Sequence, residues 1–222
     1  MRVATYNVWL GGRRGAALDE VMRNLDVDVM LVNEAPKNPV VWKRRCVACA
    51  DRWGLRMVTG GRPAGSNLIL TAPSVVVESA ASKRVRQPLF QPRRGIAWAQ
   101  LRTGGRLFGV VSCHLSLDPR RRLHEATQVL AAAQRLRGPV IIGGDLNEPP
   151  SGPAWQRLRA GGFVDHGDRS WLTFPADEPT KRIDALLVRG AAQVIHHGHP
   201  GVSPALLARG SDHRPVVLEV EL

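Results

Sequence analysis

The stretch Val140-Ile141-Ile142-Gly143-Gly144-Asp145-Leu146-Asn147-Glu148-Pro149-Pro150 runs from a β-branched apolar segment directly into polar residues and two prolines. Its apolar half is typical of a fully buried strand. Because side chains alternate along a strand, Asp145 and Asn147 are predicted to leave the strand end on the same side. A carboxylate so close to a buried strand is costly unless something uses it. Strand ends are common places for chemistry, so this stretch predicts a functional site.

Length and composition are those of an ordinary globular protein. With 222 residues, 44% of them hydrophobic and 23% charged, the chain can bury a large core, and we expect one domain over residues 1–222. No apolar run reaches the roughly 18 residues that a membrane span needs. The first residues form a strand-like segment without the layout of a signal peptide. We therefore expect a soluble, cytoplasmic monomer with no evident protein partner.

The net charge of +12 is large for this length. A field of that sign attracts anions such as nucleic acid, anionic lipid or phosphorylated small molecules. The basic residues are overwhelmingly arginine, a bias that coding composition also produces, so the charge supports a polyanionic substrate without identifying it. We interpret the basic clusters as solvated faces, of which one or two could line a groove for a phosphate backbone. These clusters are Arg44-Arg45, Arg84-Arg86, Arg93-Arg94 and Arg120-Arg121-Arg122.

Two short motifs favour structure over chemistry. Cys46 and Cys49 have redox spacing but fall within a predicted helix, and no second pair exists to build a zinc site, so we expect them to pack. The run His196-His197-Gly198-His199 is expected to be an exposed loop. Three cysteines are too few, and odd in number, for a disulfide framework.

Periodicity and turn residues predict helices flanking a long β-rich region. Residues 55–113 are expected to form one antiparallel meander, and a glycine-arginine loop follows the first strand. Asn38 and Asp118, each followed by proline, are predicted N-caps. This pattern suits two packed sheets with helices outside. The predicted helices are 16–25, 38–53, 118–137 and 152–160, and the predicted strands are 1–10, 27–33, 56–59, 67–71, 74–79, 95–101, 107–113, 140–144, 171–173, 182–188, 193–197 and 215–220.

The helix predicted at 118–137 has its apolar stripe at Leu123, Thr127, Leu130 and Ala133.

Polar residues recur at the ends of the predicted strands. Asp184 lies instead inside an apolar strand, and a buried aspartate needs a partner, most cheaply a histidine that it holds in one tautomer. His213 and His114 are both available for that role. The strand-end residues are Asn7, Glu34, His114, the pair Asp145 and Asn147, and the pair Asp212 and His213.

These residues offer carboxylate and amide oxygens without clustered cysteines. Oxygen ligands select a hard cation, so the sequence predicts Mg²⁺ or Mn²⁺, with Glu34 as the first choice of ligand. Such a site suits hydrolysis of a phosphate ester. The cation offsets charge on the phosphoryl group, a carboxylate orients water, and histidine and asparagine donate to the equatorial oxygens.

Seven segments, in order, resemble the motifs of the endonuclease/exonuclease/phosphatase superfamily, whose fold is DNase I-like. Each segment is weak alone, but seven in the family's order are specific. The resemblance implies an α+β fold, a four-layer α/β/β/α sandwich of two packed, mostly antiparallel sheets with outer helices. The segments are Thr5-Tyr6-Asn7-Val8-Trp9, Leu31-Val32-Asn33-Glu34, Gly65-Ser66-Asn67-Leu68-Ile69-Leu70, Ser112-Cys113-His114-Leu115, Gly144-Asp145-Leu146-Asn147, Arg182-Ile183-Asp184 and Gly210-Ser211-Asp212-His213-Arg214-Pro215.

The resemblance implies a catalytic role for five of the matched residues. Asp145 would orient or deprotonate the attacking water, and Asn147 would hold the phosphate. His213 would contact the phosphate, with Asp184 as its orienting partner. His114 is implied as a candidate acid for the leaving group.

The resemblance also implies a metal shell, in which Glu34 binds the cation, Asn7 frames the site for metal and substrate, and Asp212 completes the acidic shell. Asn67 is a candidate for substrate binding, with a structural role equally open. Trp171, like Trp9, could stack on a base or line the rim of the pocket.

Other matched positions are structural or depart from the family's pattern. Arg122 and Glu125 match the helix that follows the histidine, where a structural role is expected. Asn33 stands where the family usually has glutamine, and Ala185 where it often has tyrosine, which leaves the shape of the pocket open.

The sequence therefore predicts a divalent-metal-dependent phosphodiester hydrolase, first of all a nuclease that cleaves DNA or RNA by in-line attack of water. A phosphatase or phosphodiesterase for a small-molecule or lipid phosphate is the alternative. A catalytically inactive, basic nucleic-acid-binding module is a third possibility, although several costly strand-end charges would serve no purpose in it.

Overall fold

The computed structural model of the protein describes residues 1–9, 15–86 and 92–222. Leu10 and the predicted glycine-arginine loop lie outside the described residues. The helices are α1 (Gly15–Asn24), α2 (Trp42–Arg52), α3 (Pro119–Ala133), α4 (Pro153–Ala160) and α5 (Pro204–Gly210). The strands are β1 (Arg2–Asn7), β2 (Val29–Asn33), β3 (Arg56–Gly61), β4 (Asn67–Thr71), β5 (Val76–Val85), β6 (Arg94–Thr103), β7 (Arg106–His114), β8 (Val140–Asp145), β9 (Asp184–Arg189), β10 (Gln193–Gly198) and β11 (Val216–Glu221).

The strands form two sheets. A six-stranded sheet has the order β10-β11-β1-β2-β4-β3, and a five-stranded sheet has the order β5-β6-β7-β8-β9. In each sheet one neighbouring pair is parallel, β1 with β2 and β7 with β8, and the other neighbours are antiparallel. A helix joins the members of each parallel pair, α1 in the first and α3 in the second. The sheets are therefore mostly antiparallel, as predicted.

The helices cover the outer faces of the two sheets. α1, α2 and α5 contribute buried residues to the core that includes the six-stranded sheet, while α3 and α4 pack on the five-stranded sheet. The predicted four-layer α/β/β/α sandwich is confirmed. Within the described ranges no helix is both long enough and apolar enough to cross a membrane.

The inner faces of the sheets meet closely at Gly143 in β8. A Cβ there would lie 2.6 Å from side-chain atoms of Leu186 and of Leu31, and 3.4 Å from the Thr5 side chain. These neighbours belong to β9, β2 and β1, so strands of both sheets converge on this point. Because side chains alternate along a strand, polar residues two positions further toward the strand ends share these inner faces. They are Asn7, Asn33, Asp145 and Asp184.

Helix α3 begins where predicted and buries a different face. Asp118 is its N-cap and accepts a hydrogen bond from the Arg121 backbone N–H at 2.9 Å. The helix ends at Ala133 instead of residue 137, and the predicted stripe is wrong at Leu123 and Thr127, which are exposed.

The buried face of α3 carries two charged residues, which the apolar pattern could not reveal. Glu125 accepts hydrogen bonds from the Ser116 backbone N–H at 2.7 Å and from the Ser116 hydroxyl at 2.6 Å. Arg122 pairs with Glu148 at 2.8 Å, so it does not belong to a solvated face. Both residues thus hold the loops beside β7 and β8, in line with the structural role expected for them.

Helix α2 begins at Trp42, later than predicted. The Asn38 side chain accepts from the backbone N–H groups of Val40 and Val41, at 3.0 and 3.2 Å, and so caps a turn before the helix. Cys46 and Cys49 are buried in this helix and unpaired, which agrees with a packing role.

The predicted meander at 55–113 is divided between the sheets. β3 and β4 pair within the six-stranded sheet, and β5, β6 and β7 pair within the five-stranded sheet. A turn at residues 73–74 separates the two groups. Local periodicity reports the strands but carries no information on which sheet each strand joins.

Two predictions near the C-terminal end are wrong, and one helix there was not predicted. Residues 171–173 are not a strand, and the neighbouring Phe174 makes an isolated bridge to Lys181. His196 and His197 belong to β10, which confirms the strand predicted at 193–197 and contradicts the expected exposed loop, and His197 is buried. Helix α5 was not predicted, although Ser203 followed by Pro204 is an N-cap signal, and Ser203 caps the helix.

Candidate active site

Asp145, the last residue of β8, is buried and surrounded by polar groups. Its Oδ1 accepts from the Asn147 backbone N–H at 2.9 Å, and its Oδ2 accepts from the Asn7 side chain at 3.2 Å. The same Oδ2 lies 3.3 Å from Nε2 of His114. The preceding Gly144 has a φ of 150°, and a Cβ there would overlap the Cys113 carbonyl oxygen. Glycine therefore allows β7 and β8 to stay paired as far as the site.

Buried amides connect the two sheets beneath Asp145. The Asn33 side chain accepts from the Asp145 backbone N–H at 2.8 Å and donates to the Cys113 carbonyl at 2.9 Å. It also donates to Asn67 at 2.8 Å, and Asn67 donates to the Gly95 carbonyl at 2.7 Å. Asn67 is fully buried, so its hydrogen bonds stabilise the site from below. Its burial contradicts the predicted contact with substrate and agrees with the structural role that was equally open. Asn33, seen in the sequence as a departure from glutamine, joins the two halves of the site.

His213 lies between two carboxylates. Its Nδ1 is 2.9 Å from Asp184 Oδ2, and its Nε2 is 3.8 Å from Asp145 Oδ2. Of the two histidines that could have partnered Asp184, the structure selects His213. The Ser211 hydroxyl donates to the Asn7 carbonyl at 2.6 Å and so fixes the segment before His213 against β1.

The site shifts the pKa values of its three central groups in different directions. Burial and the nearby Asp184 raise the pKa of Asp145 to about 7, although His213 and hydrogen bonds from Asn147 and Asn7 oppose the shift. Burial disfavours protonation of His213, but the carboxylates of Asp184, Asp145 and Asp212 outweigh it and raise its pKa to about 9.

The second histidine behaves in the opposite way. Burial, with the positive charges of Arg94, His213 and Lys37, lowers the pKa of His114 well below its ordinary value. At neutral pH, His114 is therefore neutral and His213 is an imidazolium ion. The two histidines are thus suited to different tasks.

One cluster of side chains and one separate carboxylate could hold a cation. Asp145, Asp184 and His213 offer ligand atoms within 4.8 Å of one another, all buried. The second oxygen of Asp184, Oδ1, is buried without a hydrogen-bond partner. A buried oxygen without a partner is available to bind a cation. His213 Nδ1, however, is already engaged by Asp184.

Glu34 provides the other possibility. It follows β2 with a φ of 57° and is half-buried, and its carboxylate makes no hydrogen bond or ion pair with any residue in the described part of the chain. An unpaired carboxylate at the end of a site strand fits a hard cation. Asp212 is half-buried beside His213, and its Oδ1 lies 3.3 Å from the Ser211 hydroxyl. The Asn7 side-chain amide donates to Asp145 Oδ2 at 3.2 Å and lies 3.5 Å from His213 Nε2, and its Oδ1 accepts from the Trp9 backbone N–H at 3.1 Å.

Asn147 lies beside Asp145, whereas Trp171 packs in the core. Asn147 has a φ of 52°, is half-buried, and donates one side-chain hydrogen bond to the Leu115 carbonyl at 2.8 Å. Trp171 is buried, and its Nε1 donates to the Pro215 carbonyl at 3.0 Å. Its ring packs against His199, which contradicts the predicted role in substrate binding.

The aromatic side chain beside His213 is Phe174, whose ring centroid lies 4.8 Å from that of the imidazole. No sequence signal distinguished it, because it lies in a loop between a turn and β9. Trp9 stands immediately after Asn7 and remains 36% exposed.

Arg94 is a second residue that the sequence did not reveal. It begins β6, and its Nε is buried without a hydrogen-bond partner. Burial lowers its pKa, and the carboxylates of Asp145, Glu125 and Glu34 oppose that shift. Its guanidinium therefore belongs to the electrostatic environment of the site, and its interpretation as part of a solvated face is wrong. A double arginine before a strand gives no indication of which side chain turns inward.

Comparison with known proteins agrees with this geometry. The family model described as Endonuclease/Exonuclease/phosphatase family matches residues 4–213. The chain belongs to the endonuclease/exonuclease/phosphatase family, whose members hydrolyse phosphoric esters. No match was found among curated protein sequences.

Solved structures share the fold over the whole chain. A mannosyl-6-phosphatase from Bacteroides thetaiotaomicron has a TM-score of 0.82 and 17% identity, with 100% of both chains covered. A family member from Bacteroides vulgatus has a TM-score of 0.81 and 17% identity, covering 100% of this chain and 98% of the other. The catalytic domain of human Nocturnin with bound sulfate has a TM-score of 0.79 and 14% identity, covering 100% and 94%. At these identities the likeness shows the fold alone.

Proposed function

We propose that the protein is a divalent-metal-dependent phosphodiester hydrolase whose substrate is nucleic acid. The observation that carries the proposal is the chain of contacts from Asp184 through His213 to Asp145, completed by Asn7 and His114 around one buried carboxylate. Such a set of coupled, costly groups at the junction of two sheets is typical of a catalytic site.

Each central residue has a chemical task in this proposal. Asp145 orients a water molecule for in-line attack on phosphorus and takes up its proton, a task helped by a pKa near neutrality. The new bond joins the water oxygen to phosphorus, and the bond to the leaving oxygen breaks. Asn147 and the imidazolium of His213 hold the phosphoryl oxygens, and Asp184 keeps His213 charged and oriented.

His114 is the proposed acid for the leaving oxygen. It is neutral in the free protein. A bound phosphate brings negative charge next to it, which raises the pKa of an imidazole and favours its protonated form. Until then, Asp145 holds its ring at 3.3 Å.

Mg²⁺ or Mn²⁺, bound by Glu34 with Asp212 and Asn7 near it, would neutralise charge on the phosphoryl group. The unpaired carboxylate of Glu34 supports this assignment. The protein residues supply the remaining functions, which are positioning of the phosphate and management of the protons.

A small-molecule phosphatase is the second candidate. A cavity of about 740 Å³ adjoins Asn147 and is lined by both apolar and basic residues, among them Pro150, Leu172 and Lys181. That volume accommodates a sugar or another compact organic group. The related mannosyl-6-phosphatase has the same fold. A catalytically inactive binding module is less well supported, because it has no use for these buried charges.

A cleavage panel tests the proposal. Plasmid DNA, RNA and DNA oligonucleotides, bis-p-nitrophenyl phosphate and sugar phosphates are incubated with Mg²⁺ or Mn²⁺, and EDTA is added to parallel reactions. We expect metal-dependent cleavage of nucleic acid that falls by a factor of about 10³ or more in Asp145→Asn, because a general base is lost. Glu78→Gln, which removes an exposed carboxylate on β5, serves as the control and retains activity.

The panel also separates the alternatives. Cleavage of sugar phosphates without cleavage of polymers would favour the phosphatase. Salt-sensitive retention of DNA without cleavage of any substrate would favour the binding module.

A further inference from the structure

A basic cavity lies beside the candidate active site. It has a volume of about 350 Å³. Three of its six lining residues are cations and none is a carboxylate. We call it the Arg62 cavity. Its lining residues are Lys37, Pro39, Arg62, Gly65, Ser66 and Arg93.

The three cations of the Arg62 cavity have no anionic partner within the part of the chain that the structure describes. Lys37, Arg62 and Arg93 make no side-chain hydrogen bond or salt bridge with residues of the described ranges. Some other arginines of the protein pair with carboxylates, for example Arg122 with Glu148 and Arg182 with Asp165.

Three like charges around one small volume repel one another, and an anion placed among them relieves that repulsion. Arginine guanidinium groups in particular match phosphate through charge-assisted hydrogen bonds. The chemistry of the cavity therefore favours a phosphate group.

Backbone contacts connect the Arg62 cavity to the candidate active site. Lys37 follows the proposed metal ligand Glu34 by three residues. The backbone N–H of Ala35, next to Glu34, donates to the Ser66 carbonyl at 2.9 Å, so a wall of the cavity is bonded to the end of β2.

The other wall is equally close to the site. Gly65 has a φ of 64°, and a Cβ there would lie 2.5 Å from the Arg94 backbone. Only glycine permits this approach. It brings the Arg93 side of the cavity against the start of β6, where the charge of Arg94 interacts with the carboxylates of Asp145, Glu125 and Glu34.

We infer that the Arg62 cavity is a subsite for a second, non-scissile phosphate of the substrate. The inference rests on the proposed function, because the scissile phosphate is assigned to Asp145 and His213. The substrate then carries at least two phosphate groups. The second is either the neighbouring phosphodiester of a polynucleotide or another phosphate on a small molecule.

Binding without turnover tests the subsite. In EDTA, the affinities of thymidine 3′,5′-bisphosphate, thymidine 5′-monophosphate and a thymidine trinucleotide are measured by calorimetry for the wild type and for Arg62→Gln/Arg93→Gln. We expect the wild type to bind the two multiply phosphorylated probes more tightly than the monophosphate. The double variant should lose that preference, with an affinity for those probes about tenfold or more lower and an unchanged affinity for the monophosphate.

A matched control keeps the change in net charge equal. Arg120→Gln/Arg135→Gln removes two exposed arginines at and beyond the ends of α3, and it should bind all three probes as the wild type does. Thermal melting shows whether each variant is folded, and we expect unchanged midpoints because the replaced side chains have no partners.

The outcomes are distinct. Loss confined to the trinucleotide identifies a polynucleotide, and loss for the bisphosphate as well identifies phosphate chemistry in general. Equal preference in the variant and the wild type, or equal loss for the monophosphate, overturns the subsite. Neither result depends on cleavage. If no phosphate ester is cleaved, the hydrolase proposal falls, while the binding preference alone still decides whether the cavity is a phosphate site.

Discussion

At the scale of single residues, the candidate site assigns similar carboxylates different tasks through their surroundings. Asp184 is buried against His213, Asp145 is buried among amides and a histidine, and Glu34 is half-exposed and unpaired. Burial and charge partners set which carboxylate titrates near neutrality and which is available to a cation. Residue type alone does not distinguish these roles.

Replacing Glu34 tests the assignment of the metal. Because its carboxylate has no partner among the described residues, Glu34→Gln should leave the melting temperature of the metal-free protein unchanged. We expect the affinity for Mn²⁺, measured by calorimetry, to fall by about 100-fold or more, with a parallel loss of metal-dependent hydrolysis.

Glu20→Gln, which removes an exposed carboxylate of α1, is the matched control. If Glu34→Gln binds Mn²⁺ as tightly as the wild type, the cation belongs instead to the cluster of Asp145, Asp184 and His213.

Much of the site was predictable from sequence at this scale, because its residues stand at strand ends in a specific order. Asp145, Asn7 and His213 do meet in space, and His213 does pair with Asp184. Arg94 and Phe174 were not predictable, since whether a side chain turns into or away from a cleft depends on distant packing. Trp171 was misassigned for the same reason: a large aromatic residue near a site fits either the core or the rim.

At the scale of elements, α3 and the loop after β8 are joined by a buried ion pair. Arg122 and Glu148 lie 2.8 Å apart, and both side chains are almost fully buried. Glu148 also accepts from the Trp155 backbone N–H at 2.8 Å, which holds the first turn of α4. Glu148, which follows Asn147, therefore fixes the loop after β8.

Removing one partner of this pair should be severely destabilising. Glu148→Ala leaves the Arg122 guanidinium buried without its counter-charge and removes the contact with α4, so we expect a loss of about 3–5 kcal/mol in the free energy of unfolding. Urea denaturation measures the loss.

A double variant supplies the control. Glu148→Leu/Arg122→Met removes both charges, and it should cost less than Glu148→Ala because no buried charge remains unpaired. Equal costs for the two variants would mean that the ion pair is not the source of the stability.

β10 carries a histidine that should make the fold sensitive to acid. His197 is buried, and neither ring nitrogen has a hydrogen-bond partner. Burial lowers its pKa to about 4, despite the nearby carboxylate of Asp165. In the unfolded chain the group takes up a proton below pH 6.5, so between pH 6.5 and 4 the unfolded state binds more protons.

The stability contributed by neutral His197 is therefore fully present above pH 6.5 and declines as the pH falls toward 4. We expect a decline of up to about 3 kcal/mol in the free energy of unfolding across that window. His197→Phe, which cannot titrate, should flatten the dependence in urea denaturation at several pH values. The exposed His124→Gln should not, and an unchanged slope in His197→Phe would contradict the assignment.

Element by element, long periodic segments were predicted and short or context-dependent ones were not. α1, α4 and the buried strands follow from apolar spacing and capping residues. α5 has seven residues, too few for periodicity to emerge, and Ser203 followed by Pro204 is its one local signal. The buried face of α3 could not be predicted from the spacing of apolar residues. It contains Arg122 and Glu125, which are buried because each has a polar partner.

At the scale of the whole molecule, the site exists only where the sheets meet. Asn7, Asn33 and Glu34 come from the end of the parallel pair β1 and β2, and His114 and Asp145 come from the end of the parallel pair β7 and β8. Sequence could place these residues at strand ends, but only the pairing of the two sheets brings them together. The assignment of β3 to β7 to different sheets was likewise a tertiary property that local pattern did not contain.

Widening the junction between the sheets should therefore impair stability and catalysis together. In Gly143→Ala the new methyl group meets Leu186 and Leu31 at 2.6 Å. We expect a loss of about 1–3 kcal/mol in the free energy of unfolding from overpacking. A disproportionate fall in kcat/KM should accompany it, because Asp145 moves relative to Asn7.

Gly15→Ala is the control, since a Cβ there meets open space, and it should change neither quantity. Denaturation and steady-state kinetics on one preparation measure both effects. Full activity in a destabilised Gly143→Ala variant would contradict this prediction. It would show that the sheets can move apart at Gly143 without impairing the site.

The amide of Asn33 has a consequence for how such a protein can change. It holds the backbone of Asp145 from the opposite sheet, so the residue that joins the two sheets also positions the carboxylate proposed as the base. A mutation of Asn33 should change both the stability of the fold and the position of the Asp145 carboxylate, since both depend on this one side chain. We therefore expect changes in substrate preference to arise in the loops and cavities around the cleft. Substitutions there leave the contact between the two sheets intact.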